Sequence, residues 1–290
     1  MDIPKLLHVY WGGGTLSFLQ YLTVMSFKMH NPEYSVKLHT PLHSSDIPMP
    51  WITGEQHTSF RGKDYYPMLL EEVEVHEIDF KAIGLDHLHE IHKSDVIRWK
   101  LLYDEGGIWS DMDILYTRPL QAALDLYPSM DMSVVLYPGS DGLGSHTIGF
   151  YMTKPNMQFF KDAYKLALQH SESPHEYQSL GAGLLASMYD KFPELQEAYP
   201  SDTIYNISKD IVYPCFWTQP AVKQIFFDTP NILKPDTIGI HWFNGNEMSK
   251  LYLNSYAAFK DNESLMSRLI KATAGRAGLD YEDFAGDGLL

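Results

Sequence analysis

The sequence predicts an α/β protein with a mostly parallel sheet and helices on both faces. Residues 5–11 form a short apolar run that suits a buried strand and ends at three consecutive glycines. Residues 16–30 then place apolar side chains at helical spacing as far as Asn31-Pro32, and residues 35–39 resemble a second strand. A β-α-β order of this kind predicts neighbouring parallel strands with helices packed on the sheet.

The remaining chain continues the alternation of strands and helices. Further strands are predicted at residues 73–78, 132–137, 147–153 and 237–243, and residues 108–115 are predicted to include an extended segment. Further helices are predicted at residues 94–104 with Ser94 as the N-cap, and at 155–170, 184–192 and 256–270. Residues 41–67 contain four prolines and no clear period, which predicts irregular structure.

The length of 290 residues lies near the upper limit for one hydrophobic core. We therefore expect a single domain over residues 1–270. The segment 271–290 is rich in Gly, Ala and Asp, and it is expected to form a C-terminal tail.

Composition and charge exclude several classes of partner. The formal net charge is −15, from 22 Lys and Arg against 37 Asp and Glu, and this field repels nucleic acid and anionic lipid. An anionic ligand would then need local positive charge at its site, which a metal held by surplus carboxylates can supply. No apolar run is long enough for a transmembrane segment. Cys215 is the only cysteine, and no signal peptide is recognisable, so a cytoplasmic location is expected.

The segment 94–115 carries the residues with the clearest chemistry. Asp95 and Arg98 are three positions apart, so a helix presents them on one face. After Gly106-Gly107 come Asp111 and Asp113, whose side chains would point the same way, about 6.5–7 Å apart, in an extended strand. Two such carboxylates can share a hard divalent cation such as Mn²⁺ or Mg²⁺. Arg98 would add fixed positive charge for a diphosphate or ribose.

The combined pattern of these residues is more specific for a protein family than any single residue pair within it. The pattern S-D-x-x-R-x-x-x-L-x-x-x-G-G-I-[aromatic]-x-D-x-D spans Ser94 to Asp113. It resembles the signature of the DXD-motif glycosyltransferases of the family 32-like type. That group includes yeast initiating mannosyltransferases, α1,4-galactosyltransferases and clostridial toxin glucosyltransferase domains. Residues 3–11, followed by glycines, are similar to the opening strand of the same group.

The resemblance implies a GT-A fold, which is a Rossmann-like sheet with one nucleotide-sugar site at the C-terminal ends of its strands. It places a nucleotide-binding half at about residues 1–120 and an acceptor-side half at about residues 121–250. The implied reaction is transfer of a hexose to a glycan or other glycoconjugate acceptor, with retention of configuration. The implied cofactors are Mn²⁺ or Mg²⁺ and a nucleotide sugar, with a UDP-sugar favoured and GDP-mannose also possible.

The resemblance also implies which residues bind the donor. Carried over position by position, Trp11 would stack on the nucleobase, and the neighbouring Tyr10 would contact the nucleotide. Asp95 and Arg98 would touch the donor ribose or sugar, and Arg98 is counted among the catalytic residues.

On the metal side, the resemblance implies that Asp113 ligates the cation and that Asp111 contacts the metal, ribose or sugar. Trp109 would lie beside the donor. His241, in the segment 241–245, would reach the metal or the diphosphate. Asp141 follows a predicted strand and could face the donor sugar, although a turn before a glycine explains it more simply.

Two other functions also present an Asp-x-Asp sequence after a strand. An aspartate-dependent phosphohydrolase usually carries the pair near its N-terminus, with Thr or Val two residues after the second Asp, where this chain has Leu115. A non-catalytic nucleotide-sugar or carbohydrate-binding protein would be expected to lose a metal aspartate, whereas both are present here. Binding of a nucleotide diphosphate without sugar transfer would favour the second alternative.

Overall fold

The computed structural model describes residues 2–44, 47, 60–138, 144–172, 176–189 and 192–285. Its strands are numbered in chain order: β1 (Leu6–Tyr10), β2 (Ser35–Pro41), β3 (Glu74–Ile78), β4 (Gly107–Ser110), β5 (Ile114–Tyr116), β6 (Met132–Pro138), β7 (Gly144–Thr147), β8 (Phe150–Thr153), β9 (Ile204–Asn206) and β10 (Gly239–His241).

The helices are numbered in the same way: α1 (Phe18–His30), α2 (Tyr66–Leu70), α3 (Glu90–Asp104), α4 (Gln121–Leu124), α5 (Gln158–His170), α6 (Ala182–Met188), α7 (Phe192–Ala198), α8 (Gln219–Phe227), α9 (Glu247–Asn254), α10 (Tyr256–Phe259) and α11 (Leu265–Arg276). Short 3₁₀ turns occupy Lys209–Ile211 and Tyr281–Ala285. Within the described part of the chain, no helix is long and apolar enough to cross a membrane.

The main sheet has eight strands in the order β3-β2-β1-β4-β8-β6-β7, with β9 paired to β6. Strands β1 to β4 are mutually parallel, and β8 and β7 run in the opposite direction. Strands β6 and β9 run in the same direction as β4, because β6 is antiparallel to β8 and parallel to β9. The predicted α/β class with a mostly parallel sheet is therefore confirmed. Strand β5 leaves this sheet and pairs antiparallel with β10.

Two hydrophobic cores lie on opposite faces of the sheet. Ile108 belongs to the core that includes α1, whereas its neighbour Trp109 belongs to the core that includes α3 and α5. Successive side chains of a strand point to opposite faces, so β4 contributes to both cores. The helices therefore cover both faces, as predicted.

Capping residues explain where two of the helices begin. Ser17 caps α1 in a capping box, in which its side chain accepts the Gln20 backbone N–H and the Gln20 side chain accepts that of Ser17. Helix α3 begins at Glu90, four residues earlier than predicted. Its N-cap is His89, whose Nδ1 accepts the Ile91 backbone N–H at 3.3 Å, so the prediction of Ser94 as the cap was wrong.

Three predicted elements are each divided into two. The predicted strand 147–153 forms β7 and β8, the helix 184–192 forms parts of α6 and α7, and the helix 256–270 forms α10 and part of α11. Helix α11 starts anew because the Ser264 side chain accepts the Ser267 backbone N–H. It continues beyond residue 270, and the buried Phe284 ring stacks on Phe18 with 4.9 Å between ring centroids.

A chain of histidines crosses β1, β2 and β3. His8 Nε2 lies 3.0 Å from the Gly106 carbonyl oxygen, which can only accept, so His8 carries its hydrogen on Nε2. His39 Nε2 therefore donates to His8 Nδ1 at 2.9 Å, and His76 Nδ1 donates to His39 Nδ1 at 2.9 Å. Burial lowers the pKa of His8 to about 4 and that of His39 to about 2.

The buried histidines are expected to make the protein less stable as the pH falls. Their pKa values lie below the unfolded value of 6.5, so the stability that they contribute is fully present above that pH and is lost as the pH falls towards the folded values, about 4 for His8 and about 2 for His39. His39→Gln should lower the melting temperature at pH 8 but weaken its dependence on pH. Thermal melts from pH 8 to 4.5 test this, with the exposed His43→Gln as the control. An equally steep fall in His39→Gln and the wild type would contradict the prediction.

Candidate active site

Asp111, Asp113 and His241 converge at one end of the main sheet. One possible ligand atom from each lies within 4.8 Å of the other two. The two aspartates occupy the turn between β4 and β5, and His241 ends β10, where it pairs with Ile114 of β5. The predicted extended segment within residues 108–115 is present as β4, but the chain turns after Ser110, so Asp111 and Asp113 do not lie along one strand. The turn and the β5–β10 pairing bring the three side chains together.

The Asp113 carboxylate is held by two hydrogen bonds. Its Oδ1 lies 3.0 Å from His241 Nε2, and its Oδ2 accepts the Asn244 backbone N–H at 2.8 Å. Burial acts to raise the pKa of Asp113, but the attraction and hydrogen bond of His241 and the bond from Asn244 outweigh it, so the pKa is lowered. The Asp113 side chain is therefore favoured in its charged, carboxylate form in the folded protein.

His241 is oriented by its neighbours. Its Nδ1 accepts the Phe243 backbone N–H at 3.3 Å, so Nε2 carries the hydrogen and donates to Asp113. The Tyr213 ring stacks on the imidazole with 4.8 Å between centroids and 25° between planes. Ligation of a cation through Nε2 would require the hydrogen to leave that atom, so the His241–Asp113 hydrogen bond and metal ligation exclude each other.

Arg98 lies between Asp95 and Asp111 and is almost fully buried. Its Nη2 donates to Asp111 Oδ1 at 3.0 Å and lies 3.5 Å from Asp95 Oδ1. The guanidinium carbon is 4.8 Å from the centroid of the Trp109 ring, within range of a cation–π contact. Among the described residues, the buried Nε and Nη1 of Arg98 have no hydrogen-bond partner. Buried unpaired donors are costly, so they point to a ligand that accepts from them.

Trp109 and Asp95 complete the buried part of the site. Trp109 is buried, and its indole Nε1 donates to Asp111 Oδ1 at 2.9 Å, so it orients this carboxylate. Burial raises the pKa of Asp95 to about 7, the Arg98 charge opposes this shift, and the Asp111 charge adds to it. Direct contact of Trp109 or Asp95 with a donor stays a prediction.

Tyr10 and Trp11 lie at the C-terminal end of β1. The Tyr10 hydroxyl donates to Glu90 Oε2 at 2.5 Å, and the half-buried Trp11 donates from Nε1 to the Gly14 carbonyl at 3.2 Å. Their contact with a nucleotide stays a prediction. Asp141 lies outside the described residues.

Gly149 and Tyr213 are site residues that the sequence did not reveal. The Gly149 carbonyl accepts the Asp111 backbone N–H at 2.8 Å. A Cβ added to Gly149 would lie 2.5 Å from the Tyr213 hydroxyl oxygen and 2.7 Å from Asp111 Oδ2. A glycine within a predicted strand was the one available signal for this close approach, and Tyr213 carried none.

Gly149→Ala is expected to displace Asp111 or Tyr213 and thereby weaken metal binding by about tenfold or more, since a misplaced ligand costs affinity. Calorimetric titration with Mn²⁺ in the presence of a nucleotide diphosphate measures the effect. Gly275→Ala is the matched control, because a Cβ there meets nothing within 4 Å and Gly275 lies in α11. Equal affinity of the two variants would contradict the role of Gly149.

Residues 23–132 match the family described as the glycosyltransferase sugar-binding region containing a DXD motif. The match includes Asp95, Arg98, Asp111 and Asp113. This part of the chain is therefore similar to the DXD-motif glycosyltransferases. The match favours sugar transfer over the phosphohydrolase alternative. No curated protein matches the chain.

Solved glycosyltransferases are similar in structure at low identity. The galactosyltransferase LgtC is 10% identical over 96% of this chain and 98% of its own, with a TM-score of 0.47. GlyE of Streptococcus pneumoniae is 13% identical over 98% of this chain and 62% of its own, with a TM-score of 0.48. Mouse xyloside xylosyltransferase 1 is 13% identical over 83% of this chain and 97% of its own, with a TM-score of 0.41. Similarities of this size add nothing to the family match.

Proposed function

We propose that this glycosyltransferase moves a hexose from a nucleotide-diphosphate sugar to a hydroxyl of a glycan or other glycoconjugate. The reaction uses a divalent cation held by Asp111, Asp113 and His241. The single observation that carries the proposal is the convergence of these three side chains beside the unpaired donors of Arg98. A GT-A type of donor site and retention of configuration belong to the proposal through the sequence resemblance.

The three side chains fit Mn²⁺ or Mg²⁺. Carboxylate oxygens are preferred by both cations, and the imidazole makes Mn²⁺ the better match. Ligand atoms within 4.8 Å of one another can each approach one cation to about 2.0–2.2 Å after small rotations. A bound cation would stabilise the negative charge of the departing nucleoside diphosphate as a Lewis acid.

The chain's own residues bind and orient the donor. Arg98 offers Nε and Nη1 to oxygens of the donor sugar or diphosphate, while its Nη2 stays on Asp111. Asp95 Oδ1 lies 3.5 Å from Arg98 Nη2, and this contact helps to hold the guanidinium in place in the buried site. Trp11 follows β1, which pairs with β4, and Asp111 follows β4. A nucleotide whose base stacks on Trp11 would therefore direct its diphosphate towards Asp111.

The nature of the donor rests on the sequence resemblance, which favours a UDP-sugar and leaves GDP-mannose possible. A cytoplasmic location and a role in polysaccharide or glycoprotein-glycan synthesis belong to the same proposal. Labelled sugar found only on products of the secretory pathway would contradict that location.

A panel of UDP- and GDP-sugars, each with and without Mn²⁺, tests the reaction class. Thermal shifts identify the donor that binds, and release of free sugar from that donor measures hydrolysis in the absence of an acceptor. We expect one donor to bind only with the cation and to be hydrolysed slowly. Absence of binding for every donor under every metal condition would overturn the proposal.

A further inference from the structure

Phe216 and Trp217 present two large aromatic rings to solvent. Their exposed fractions are 42% and 64%, and Trp217 is the most exposed large apolar side chain among the described residues. The two residues lie in the segment between the 3₁₀ turn Lys209–Ile211 and helix α8. Exposed aromatic rings forfeit part of the free energy of burial, so neighbouring exposed aromatics are candidates for a binding surface.

The backbone that carries these rings is firmly held. The Tyr137 hydroxyl donates to the Cys215 carbonyl at 2.7 Å and also interacts with the Trp217 backbone N–H. The Asn246 side-chain amide donates to the Trp217 carbonyl at 2.9 Å. Fixed backbone on both sides of the exposed rings lowers the entropic cost of binding a ligand to them.

A continuous line of aromatic rings connects this segment with the candidate metal site. Tyr213 stacks on His241, its ring meets Tyr137 edge-on at 5.8 Å between centroids, and Tyr137 meets Phe216 edge-on at 5.5 Å. A second connection runs through the chain segment 244–246, since Asn244 bonds to Asp113 and Asn246 bonds to Trp217. The segment that carries the exposed rings is therefore joined to the candidate metal site by direct side-chain contacts.

The order of the strands places these rings opposite the candidate nucleotide side. Trp11 follows β1, on one side of β4, whereas Tyr137 lies near the end of β6, on the other side of β4 beyond β8. Strands β1, β4 and β6 run in the same direction, so their C-terminal ends share one edge of the sheet. With a nucleotide on the β1 side, the β6 side is left for the second substrate.

We propose that Phe216 and Trp217 form an acceptor subsite and stack on the C–H face of a neutral pyranose ring of a glycan. This inference rests on the proposed sugar transfer. The flat, apolar rings match the C–H face of a pyranose. The net charge of −15 disfavours an anionic glycan.

The test compares glycan retention by the wild type, Trp217→Ala, Trp217→Phe and Leu126→Ala on an immobilised panel of neutral oligosaccharides, in the presence of Mn²⁺ and the nucleoside diphosphate. Leu126 is the control, because it is also exposed, at 52%, but follows helix α4 and does not belong to the segment 212–218 that carries the exposed rings. We expect Trp217→Ala to lose at least about tenfold in apparent affinity, as for a central aromatic contact. Trp217→Phe should keep most of the binding, and Leu126→Ala should match the wild type. Circular dichroism melts confirm that each variant is folded.

Equal retention by Trp217→Ala and the wild type would overturn the subsite, and so would failure of the wild type to retain any neutral glycan. Calorimetry with the donor panel, on the same wild-type preparation, keeps this result separate from the proposed reaction. Glycan retention that depends on Trp217 without any donor binding would support the subsite and reject the transfer reaction. Donor binding together with equal glycan retention by Trp217→Ala and the wild type would support the transfer reaction and overturn the subsite.

Discussion

Asp113→Asn is expected to abolish Mn²⁺-dependent donor binding and to lower kcat/KM for transfer by at least about a hundredfold. The substitution keeps the shape of the side chain and an oxygen that accepts the Asn244 backbone N–H. It removes the negative charge that a cation requires. Calorimetry of the donor with and without Mn²⁺ measures binding, and steady-state kinetics measure transfer. The exposed Asp125→Asn is the matched control.

The loss of stability caused by Asp113→Asn is also expected to depend on pH. The pKa of Asp113 is lowered in the folded protein, so its stabilising contribution is present above the unfolded pKa and is lost as the pH falls through the folded value. Asp113→Asn should therefore be less stable than the wild type at pH 7 by about 1–2 kcal/mol, with the difference shrinking at acidic pH. Unchanged donor affinity in Asp113→Asn would contradict the role of Asp113 in metal binding.

Arg98→Lys is expected to lower kcat/KM by at least about a hundredfold with a modest effect on the melting temperature. Lysine keeps the positive charge between Asp95 and Asp111 but lacks the planar group that bonds Asp111 and also offers Nε and Nη1. Kinetics and thermal melts on the same preparation separate the two effects. The control is Arg118→Lys, at an exposed arginine that bonds the Pro235 carbonyl.

Arg98→Ala should behave differently from Arg98→Lys. It leaves the carboxylates of Asp95 and Asp111 without their buried counter-charge, which costs about 3–5 kcal/mol of stability. Wild-type kcat/KM in Arg98→Lys would show that charge alone suffices and would contradict a specific role for the guanidinium group.

The order of elements could be predicted from local sequence because apolar runs, glycines and prolines mark them directly. The first β-α-β unit was predicted nearly to its bounds, since three glycines precede α1 and Asn31-Pro32 follows it. Element ends and breaks were less predictable. His89 is not a common N-cap residue, and the break between α10 and α11 depends on Ser264 within an otherwise helical pattern.

The site could be predicted in its residues but not in its geometry. The spacing of Asp95, Arg98, Asp111 and Asp113 singled out the segment, yet the aspartates meet through a turn instead of along a strand. The position of His241 depends on the pairing of β5 with β10, which lie more than a hundred residues apart in the chain. Pairing over such a distance leaves no local signal.

The packing of side chains within the site was the feature least predictable from the sequence. The contact of Tyr213 with His241 and the close approach at Gly149 depend on how separate segments pack against each other. Spacing along the chain carries no information about such contacts.

One divalent cation is expected to bind among Asp111, Asp113 and His241. A crystal soaked with Mn²⁺ and a nucleoside diphosphate, measured at the manganese absorption edge, would locate this cation. We expect a single strong anomalous peak about 2.0–2.3 Å from a carboxylate oxygen of Asp113, with Asp111 or His241 as a further ligand and diphosphate oxygens completing the coordination. A peak elsewhere, or nucleotide bound without any peak at these three residues, would contradict it.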